Sequence, residues 1–181
     1  GSTATNVFIS TCPDGSKLVR VSWTGDCRVA MFQGSKWNRG EYVTFDHDLS
    51  RDDEKARVLR HGKEHGGTFV SRRIDKRGNA VGAWAVFSEE PKHKGLSLNM
   101  TRSIGDKHCS SAVIADPEFT TFRIPKHEKA RLVVASDGIW KVLEYKSVRK
   151  VMSKSVTPME AANALAAKAL RRTERAYHLT R

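Results

Sequence analysis

The alternation of apolar and polar residues near the start of the chain predicts a β-hairpin. Residues 19–23 place apolar side chains at every second position, which is the period of a strand with one buried face. Gly25 and Asp26 then interrupt the pattern, and residues 28–32 are apolar enough to return as a partner strand. Residues 16–33 are therefore predicted as a hairpin with Asp26 at its tip.

The second half of the chain predicts strands followed by helices. Residues 119–124 alternate in the same way, and residues 132–135 are apolar throughout, as in a strand buried on both faces. Residues 144–152 have a helical pattern. Thr157 and Glu160 then form a capping box with a proline at the first helical position, which predicts a long helix.

The face through which this long helix packs is predicted from small and apolar residues at helical spacing. These residues are Ala162, Leu165, Ala166, Ala169 and Leu170.

The middle of the chain has less regular patterning. Ser50 resembles a helix N-cap, and good helix formers continue to Arg60, so a helix is predicted there. Residues 62–95 are rich in glycine, charge and histidine without a clear period, which predicts irregular structure. His61 and His65 have the spacing of a metal site on a helix, but Gly62 between them favours a solvated loop.

Composition places the chain among globular proteins. The length of 181 residues predicts one domain, and 39% apolar with 29% charged residues is ordinary for a folded protein. No apolar run reaches the length of a membrane span, and no signal peptide opens the chain. Three cysteines at irregular spacing indicate neither a disulfide framework nor a zinc site. We therefore expect an intracellular protein.

The net charge of +12 raises the question of nucleic-acid binding. Residues 141–181 contain ten lysines and arginines against three glutamates. A solvated helix face is the commoner explanation of such a basic segment. Aromatic residues interleaved with the basic ones, which single-strand binding favours, are nearly absent from it. Nucleic-acid binding through the C-terminal segment is thus a minor alternative.

Three polar clusters carry the candidate chemistry. Residues 136–140, Ser-Asp-Gly-Ile-Trp, follow the buried strand, where a short carboxylate can reach a hard divalent cation. Asp26 lies in a predicted turn, and residues 101–106, Thr-Arg-Ser-Ile-Gly-Asp, contain both Arg102 and a carboxylate. Each cluster alone is also explained as a turn or a salt-bridged loop.

The order of these and other motifs is more specific than any one of them. They occur in the order 1–4 (Gly-Ser-Thr-Ala), 25–28 (Gly-Asp-Cys-Arg), 46–48 (Asp-His-Asp), Glu54 and Arg57, Gly66-Gly67 with Val70, 96–106, 115–118 (Ala-Asp-Pro-Glu) and 136–140. In this order and spacing they resemble the type 2C family of metal-dependent serine/threonine protein phosphatases, from one end of the chain to the other.

The resemblance implies an α+β fold, an antiparallel β-sandwich flanked by helices. It also implies hydrolysis of phosphoserine and phosphothreonine in protein substrates by a water that paired Mg²⁺ or Mn²⁺ ions activate. Asp137 matches an aspartate that binds one of the paired metals, and Asp26 one that helps hold a third metal. Arg102 matches an arginine near the cleft, where it would be a phosphate or a structural contact.

The chain also departs from the family pattern. Lys141 stands where many members have an aspartate, which disfavours the third metal because a cation repels an ion nearby. The Asp-Gly-His-Gly-Gly segment and the closing Asp-Asn motif have no match, so we expect residues 1–181 to be one partial domain that is inactive alone. The alternative is an inactive pseudophosphatase, a structural or RNA-associated subunit that depends on a protein partner.

Overall fold

The structure, a computed structural model, describes residues 1–89, 96–106 and 111–179. Its strands are β1 (Ala4–Thr11), β2 (Lys17–Thr24), β3 (Arg28–Gln33), β4 (Arg39–Tyr42), β5 (Thr68–Ile74), β6 (Ala80–Ser88), β7 (Ser97–Leu98), β8 (Glu118–Ile124) and β9 (Ala130–Ala135). Its helices are α1 (Asp52–His65), α2 (Asp137–Trp140), α3 (Tyr145–Lys154) and α4 (Pro158–Leu179), with a 3₁₀ turn at Ser35–Trp37.

The strands form three-stranded sheets with the orders β1-β2-β8, β4-β3-β9 and β5-β6-β7. Strand β3 pairs antiparallel with both β4 and β9, and β6 pairs antiparallel with both β5 and β7. Antiparallel sheets together with separate helices make this an α+β fold, as predicted.

The predicted hairpin of residues 16–33 is wrong, although both of its strands exist. Strand β2 belongs to one sheet and β3 to another, where both edges of β3 are already paired with β4 and β9. Gly25 has a φ of 103°, so the chain leaves β2 through a turn that most residues would not adopt. The turn therefore transfers the chain between sheets instead of folding it back.

The prediction of irregular structure for residues 62–95 is also wrong where the structure describes them. Helix α1 continues to His65, and β5 and β6 then form an antiparallel hairpin. A Cβ at Gly62 would lie 2.7 Å from the carbonyl oxygen of Thr68. Glycine here permits the close approach of helix and strand, so it does not signal a loop. Residues 90–95 lie outside the described ranges.

The predicted start of the long C-terminal helix is confirmed, but its buried face differs from the predicted one. The amide of Glu160 donates to Thr157 Oγ1, and the amides of Val156 and Thr157 donate to the Glu160 carboxylate, which forms the capping box. Among residues 158–175 of α4, the buried positions are Ala161, Leu165 and Ala169.

Two other burial predictions in this region are wrong. Leu170 is 64% exposed, so the packed face of α4 is rotated from the predicted one. Strand β9 is not buried on both faces, because Val134 is 49% exposed while its neighbour Val133 is buried.

The chain divides into two compact units, each with its own apolar core. Unit 1 consists of Gly1–Val7, Val21–Cys27 and Phe45–Phe119, and unit 2 of Phe8–Arg20, Arg28–Thr44 and Thr120–Arg181. The core of unit 1 contains Leu49, Val58, Val86, Ala112 and Val113. The core of unit 2 contains Ala30, Phe32, Val133, Trp140, Leu143, Val148, Met152, Ala161, Leu165 and Ala169.

The described residues contain two cysteines and no disulfide between them. Cys12 and Cys27 are free thiols there, and Cys109 lies outside these ranges. None of the described helices is long and apolar enough to cross a bilayer.

Candidate functional site

The Ser-Asp-Gly-Ile-Trp segment forms a short turn that is anchored by its tryptophan. Strand β9 ends at Ala135, Ser136 is extended, and α2 begins at Asp137. The Trp140 ring is buried, and its Nε1–H donates to the carbonyl of Ala135 at 2.8 Å and to that of Arg28 at 3.2 Å. The tryptophan thus fixes the end of the turn, whereas the side chain of its first residue, Asp137, is partly exposed.

Asp137 pairs with a cation from its own turn. Lys141 Nζ lies 2.5 Å from Asp137 Oδ2, and the two side chains are 64% and 41% exposed, respectively. A pair in this environment contributes little to stability, because water competes for both charges. The carboxylate is therefore accessible, but its nearest counter-ion is already a lysine.

The Asp26 turn is held in place by backbone and side-chain contacts of unit 1. The amide of Gly25 donates to His47 Nδ1, and the amide of His47 donates to the Gly25 carbonyl, both at 3.0 Å. A Cβ at Gly25 would lie 2.2 Å from Thr3 Cγ2. Thr3 Oγ1 is also 3.0 Å from Cys27 Sγ. The half-buried Asp26 is thus carried by a fixed loop.

A buried carboxylate organises the other polar contacts of unit 1. Glu54 is in the first turn of α1, and its side chain is 2% exposed. Its Oε1 accepts from Arg102 Nε at 3.0 Å and Nη2 at 2.5 Å, and its Oε2 accepts from Arg57 Nη2 at 2.8 Å and Thr101 Oγ1 at 2.5 Å. Buried carboxylates are stable only when their oxygens are satisfied in this way.

These contacts hold Glu54 in its charged form. Burial alone raises the pKa of the Glu54 carboxyl, but hydrogen bonds from Arg102, Arg57 and Thr101 outweigh it and lower the pKa to about 2.

Arg102 connects this carboxylate to a second one. Its Nη1 donates to the carbonyl of Asp116 at 2.9 Å, and its Nη2 lies 3.2 Å from Glu118 Oε1. Arg51 binds Glu118 with two parallel bonds of 2.9 and 2.7 Å, which is the bidentate geometry that suits a guanidinium. The pKa of Glu118 is lowered, mainly by the Arg51 hydrogen bonds.

His47 lies between the Asp26 turn and these ion pairs. It is fully buried, its ring stacks on Trp23, and its Nε2 is 3.5 Å from Glu118 Oε2. Burial lowers the pKa of His47, and the nearby Arg102 lowers it further, so the ring is neutral at physiological pH. Since Nδ1 accepts a bond from Gly25, the proton lies on Nε2, which is buried and forms no hydrogen bond with a described residue.

One group of carboxylates in unit 1 has the spacing of a metal site. Ligand oxygens of Asp53, Glu54 and Glu118 lie within 4.8 Å of one another. Each of these carboxylates, however, already forms an ion pair with an arginine. A divalent cation would have to displace guanidinium groups that saturate the oxygens. We interpret the group as an ion-pair network, which we call the Glu54 network.

The sequence-predicted residues therefore fall in two places. Asp26 and Arg102 lie in unit 1, where His47 and Glu118 form a continuous series of contacts between the Gly25 turn and Arg102. Asp137 lies in unit 2.

The sequence interpretation named the segments that contain Glu54 and Glu118 but missed that they share Arg102. Their only sequence signal is the order of the motifs, since the contacts join residues 48 and 16 positions apart.

Comparison with known proteins decides the family. The profile described as "Protein phosphatase 2C" matches residues 1–176. The chain belongs to the protein phosphatase 2C family. The resemblance that the motifs indicated is thereby confirmed.

The relatives of the chain include plant proteins. "Probable protein phosphatase 2C 14" of Arabidopsis thaliana is 34% identical over 145 residues, which cover 78% of this chain and 27% of that protein. "Protein phosphatase 2C 77" of the same species is 30% identical over 166 residues, which cover 92% of this chain and 30% of that protein. The chain thus spans about a quarter to a third of the length of these relatives.

The fold also agrees with a solved phosphatase 2C structure. The serine-threonine phosphatase 2C of Toxoplasma gondii superposes with a TM-score of 0.71 over 97% of this chain and 54% of that chain, at 18% sequence identity. At this identity the likeness establishes the fold of the chain and nothing finer.

Proposed function

We propose that the protein containing this phosphatase 2C chain hydrolyses phosphoserine and phosphothreonine in intracellular proteins, with Mg²⁺ or Mn²⁺ as cofactor. The observation that carries the proposal is the family match over residues 1–176, nearly the whole chain. Its chemistry agrees with an accessible carboxylate, Asp137, at the end of a strand, since hard divalent cations prefer such oxygen ligands.

Each candidate site residue has a proposed role. Asp137 is proposed as a ligand of one metal of the pair, and Asp26 as a ligand of a third. Bound metal would supply an activated water and neutralise the charge of the phosphate. In this chain Asp137 would have to exchange the Lys141 ammonium for the metal. The exposed pair makes that exchange inexpensive.

We propose Arg102 as a positioning residue and not as a phosphate contact. Its guanidinium already donates to Glu54, Glu118 and the carbonyl of Asp116, and its side chain is only 13% exposed. Through Glu118 and His47 it supports the turn that carries Asp26. The two units are proposed to be parts of one phosphatase 2C domain, because a single profile covers both.

The test is Mn²⁺-dependent release of phosphate from a phosphothreonine peptide by the natural full-length protein. Asp137→Asn should lower kcat by at least about a hundredfold, because a ligand of the reacting metal is lost. Asp52→Asn, an exposed carboxylate in α1, serves as the matched control and should retain activity. Equal activity in the protein and its Asp137→Asn variant would contradict the assigned role.

A second candidate function is supported by one observation. The ammonium of Lys141 occupies the carboxylate of Asp137, as expected of an inactive family member that serves as a scaffold. A full-length protein that folds, binds no Mn²⁺ and releases no phosphate would favour this alternative. Saturable Mn²⁺ binding that Asp137→Asn abolishes would exclude it.

A further inference from the structure

The net positive charge of the chain lies in one of its two units. Unit 1 contains thirteen lysines and arginines and thirteen aspartates and glutamates, so its charges cancel. Unit 2 contains nineteen basic residues against seven acidic ones. The whole net charge of +12 therefore belongs to unit 2. The positive electrostatic field of unit 2 favours the binding of anionic partners.

Part of this charge converges on one concave surface, which we call the basic groove. It has a volume of about 480 Å³ and is lined by Lys36, Asn38, Lys146, Arg149, Lys150 and Ser153. The lining comes from two separate elements, the 3₁₀ turn after β3 and the helix α3. The groove thus combines four cations with an amide and a hydroxyl that can form hydrogen bonds.

The described ion pairs of unit 2 do not include the cations of the basic groove. Asp14 pairs with Arg123, Glu128 with Arg39 and Asp137 with Lys141. Glu160 accepts bonds from backbone amides at the start of α4. Within the part of the chain that the structure describes, no carboxylate forms an ion pair with a cation of the basic groove.

Local backbone geometry holds the 3₁₀ turn beside α3. Lys36 and Trp37 have φ values of 52° and 57°, a left-handed conformation that is costly for residues with side chains. The guanidinium of Arg131 lies 4.4 Å from the centre of the Trp37 ring, and Arg149 Nη1 donates to the carbonyl of Asn38 at 3.4 Å. These contacts stabilise an arrangement that the chain would not adopt by itself.

Two lysines of helix α3 repel each other and so destabilise the helix. Lys146 and Lys150 are four residues apart and both exposed, and like charges at this spacing destabilise a helix. The basic row of α4, formed by Lys168, Arg171, Arg172 and Arg175, lies on a single helix. That row is explained as a solvated face, whereas the basic groove draws its cations from two elements.

The aromatic rings near the basic groove distinguish between two kinds of anion. Trp37 is covered by Arg131, and Tyr145 stacks on Phe32 at a centroid distance of 5.0 Å. Single-stranded nucleic acid is held by bases stacked on open aromatic rings, and each of these rings is partly buried and already has one such contact within the chain. A run of carboxylates needs only the cations and hydrogen-bonding groups that are present.

We propose that the basic groove is a docking site for an acidic segment of a protein partner. The assignment of that partner as a substrate rests on the proposed phosphatase function; binding of the acidic segment does not. The cations would hold the segment by charge complementarity, which mainly increases the association rate and the selectivity of binding. The groove would thereby select phosphoproteins that carry glutamate- and aspartate-rich sequences.

The test is fluorescence anisotropy of a labelled polyglutamate peptide with the full chain in EDTA, where metal-dependent hydrolysis does not contribute. Lys146→Gln/Lys150→Gln should weaken binding roughly tenfold. Lys63→Gln/Lys76→Gln removes the same charge from exposed positions of unit 1 and should change Kd by less than about twofold. A polyglutamine peptide should bind far more weakly than polyglutamate.

Each result decides the proposal. Equal loss of affinity in both double variants, or equal binding of both peptides, would overturn it, because the charge of the groove would then have no specific effect. An oligouridylate that binds more tightly than polyglutamate through Lys146 and Lys150 would also overturn it. An inactive full-length protein that still shows the expected peptide binding would refute only the proposed hydrolysis.

Discussion

Two carboxylate–cation pairs of this chain lie in opposite environments. In unit 1 the side chains of Glu54 and Arg102 are 2% and 13% exposed, whereas in unit 2 those of Asp137 and Lys141 are 41% and 64% exposed. The buried pair belongs to a network in which both oxygens of Glu54 are satisfied. The exposed pair joins residues four apart on one turn.

The difference indicates which carboxylate is structural and which is available for chemistry. Removing one partner of a buried pair leaves a charge that water cannot reach, so the pair is costly to break. Water replaces either partner of an exposed pair, so that pair exchanges easily. The role proposed for Asp137, metal binding, requires the second behaviour.

The largest expected effect comes from the buried member of this comparison. Glu54→Gln keeps the shape of the side chain but leaves Arg102 and Arg57 without a counter-charge at that position. We expect the free energy of unfolding to fall by about 3 to 5 kcal/mol, as measured by urea denaturation. Glu64→Gln, on the exposed side of α1, should change it by less than about 0.5 kcal/mol. Similar losses in both variants would show that burial is not the cause.

Acid should produce a similar loss through the same group. The pKa of Glu54 is about 2 in the folded chain against an ordinary value of 4.5. A lowered carboxyl pKa stabilises the fold above the unfolded value, and this stabilisation is lost as the pH falls from 4.5 towards 2.

The loss of about 3 kcal/mol that this shift implies can be isolated with the Glu54→Gln variant. Asp53 and Glu118 also have a lowered pKa, and both remain in the variant. The stability difference between the wild-type chain and the variant should therefore shrink as the pH falls through this window. A difference that is independent of pH would rule out a charged Glu54.

A smaller effect is expected from the anchor of the Asp137 turn. Trp140→Phe keeps an aromatic ring but removes the Nε1–H, so the carbonyls of Ala135 and Arg28 lose a donor. We expect a loss of about 1 to 3 kcal/mol in the free energy of unfolding. Trp84→Phe, at a side chain that is 46% exposed, is the comparison. A Trp140→Phe variant as stable as the wild type would mean that packing alone holds the turn.

The smallest effect is expected at the exposed pair itself. Lys141→Gln removes the partner of Asp137, yet the free energy of unfolding should change by less than about 0.5 kcal/mol. Differential scanning calorimetry of the variant beside the wild-type chain measures this directly. A decrease of more than about 1 kcal/mol in the free energy of unfolding would show that the exposed pair stabilises the fold as a buried pair does, which would contradict the comparison.

Local features of the fold were predictable because they depend on neighbouring residues. The capping box of α4 joins residues three and four apart, and the alternation in β2 buries Val19, Val21 and Trp23 as expected. The existence of α1 and α3 follows from similar short-range patterns. Helix α1 was predicted to be too short because Gly62 was interpreted as the end of the helix.

The candidate site was predictable only through the motif order of the family. Asp26, Arg102 and Asp137 were named because their segments match that order, and their metal and positioning roles remain proposals. The contacts that surround them were not predicted. Glu54 and Arg102 are 48 residues apart, a separation at which no periodicity links two positions.

The sequence by itself determined the family, the α+β class, the capping box of α4 and the burial pattern of β2; the predicted N-cap at Ser50 is wrong, because Arg51 precedes the first residue of α1 and makes no side-chain capping bond. These features arise from the covalent order of residues and from local backbone preferences. Only the tertiary structure decided that β2 and β3 belong to different sheets, that Glu54 is charged in the interior, and that Lys36 and Lys146 share one groove. Each of these depends on which distant segments meet, because strand pairing, desolvation and charge convergence are set by neighbours in space.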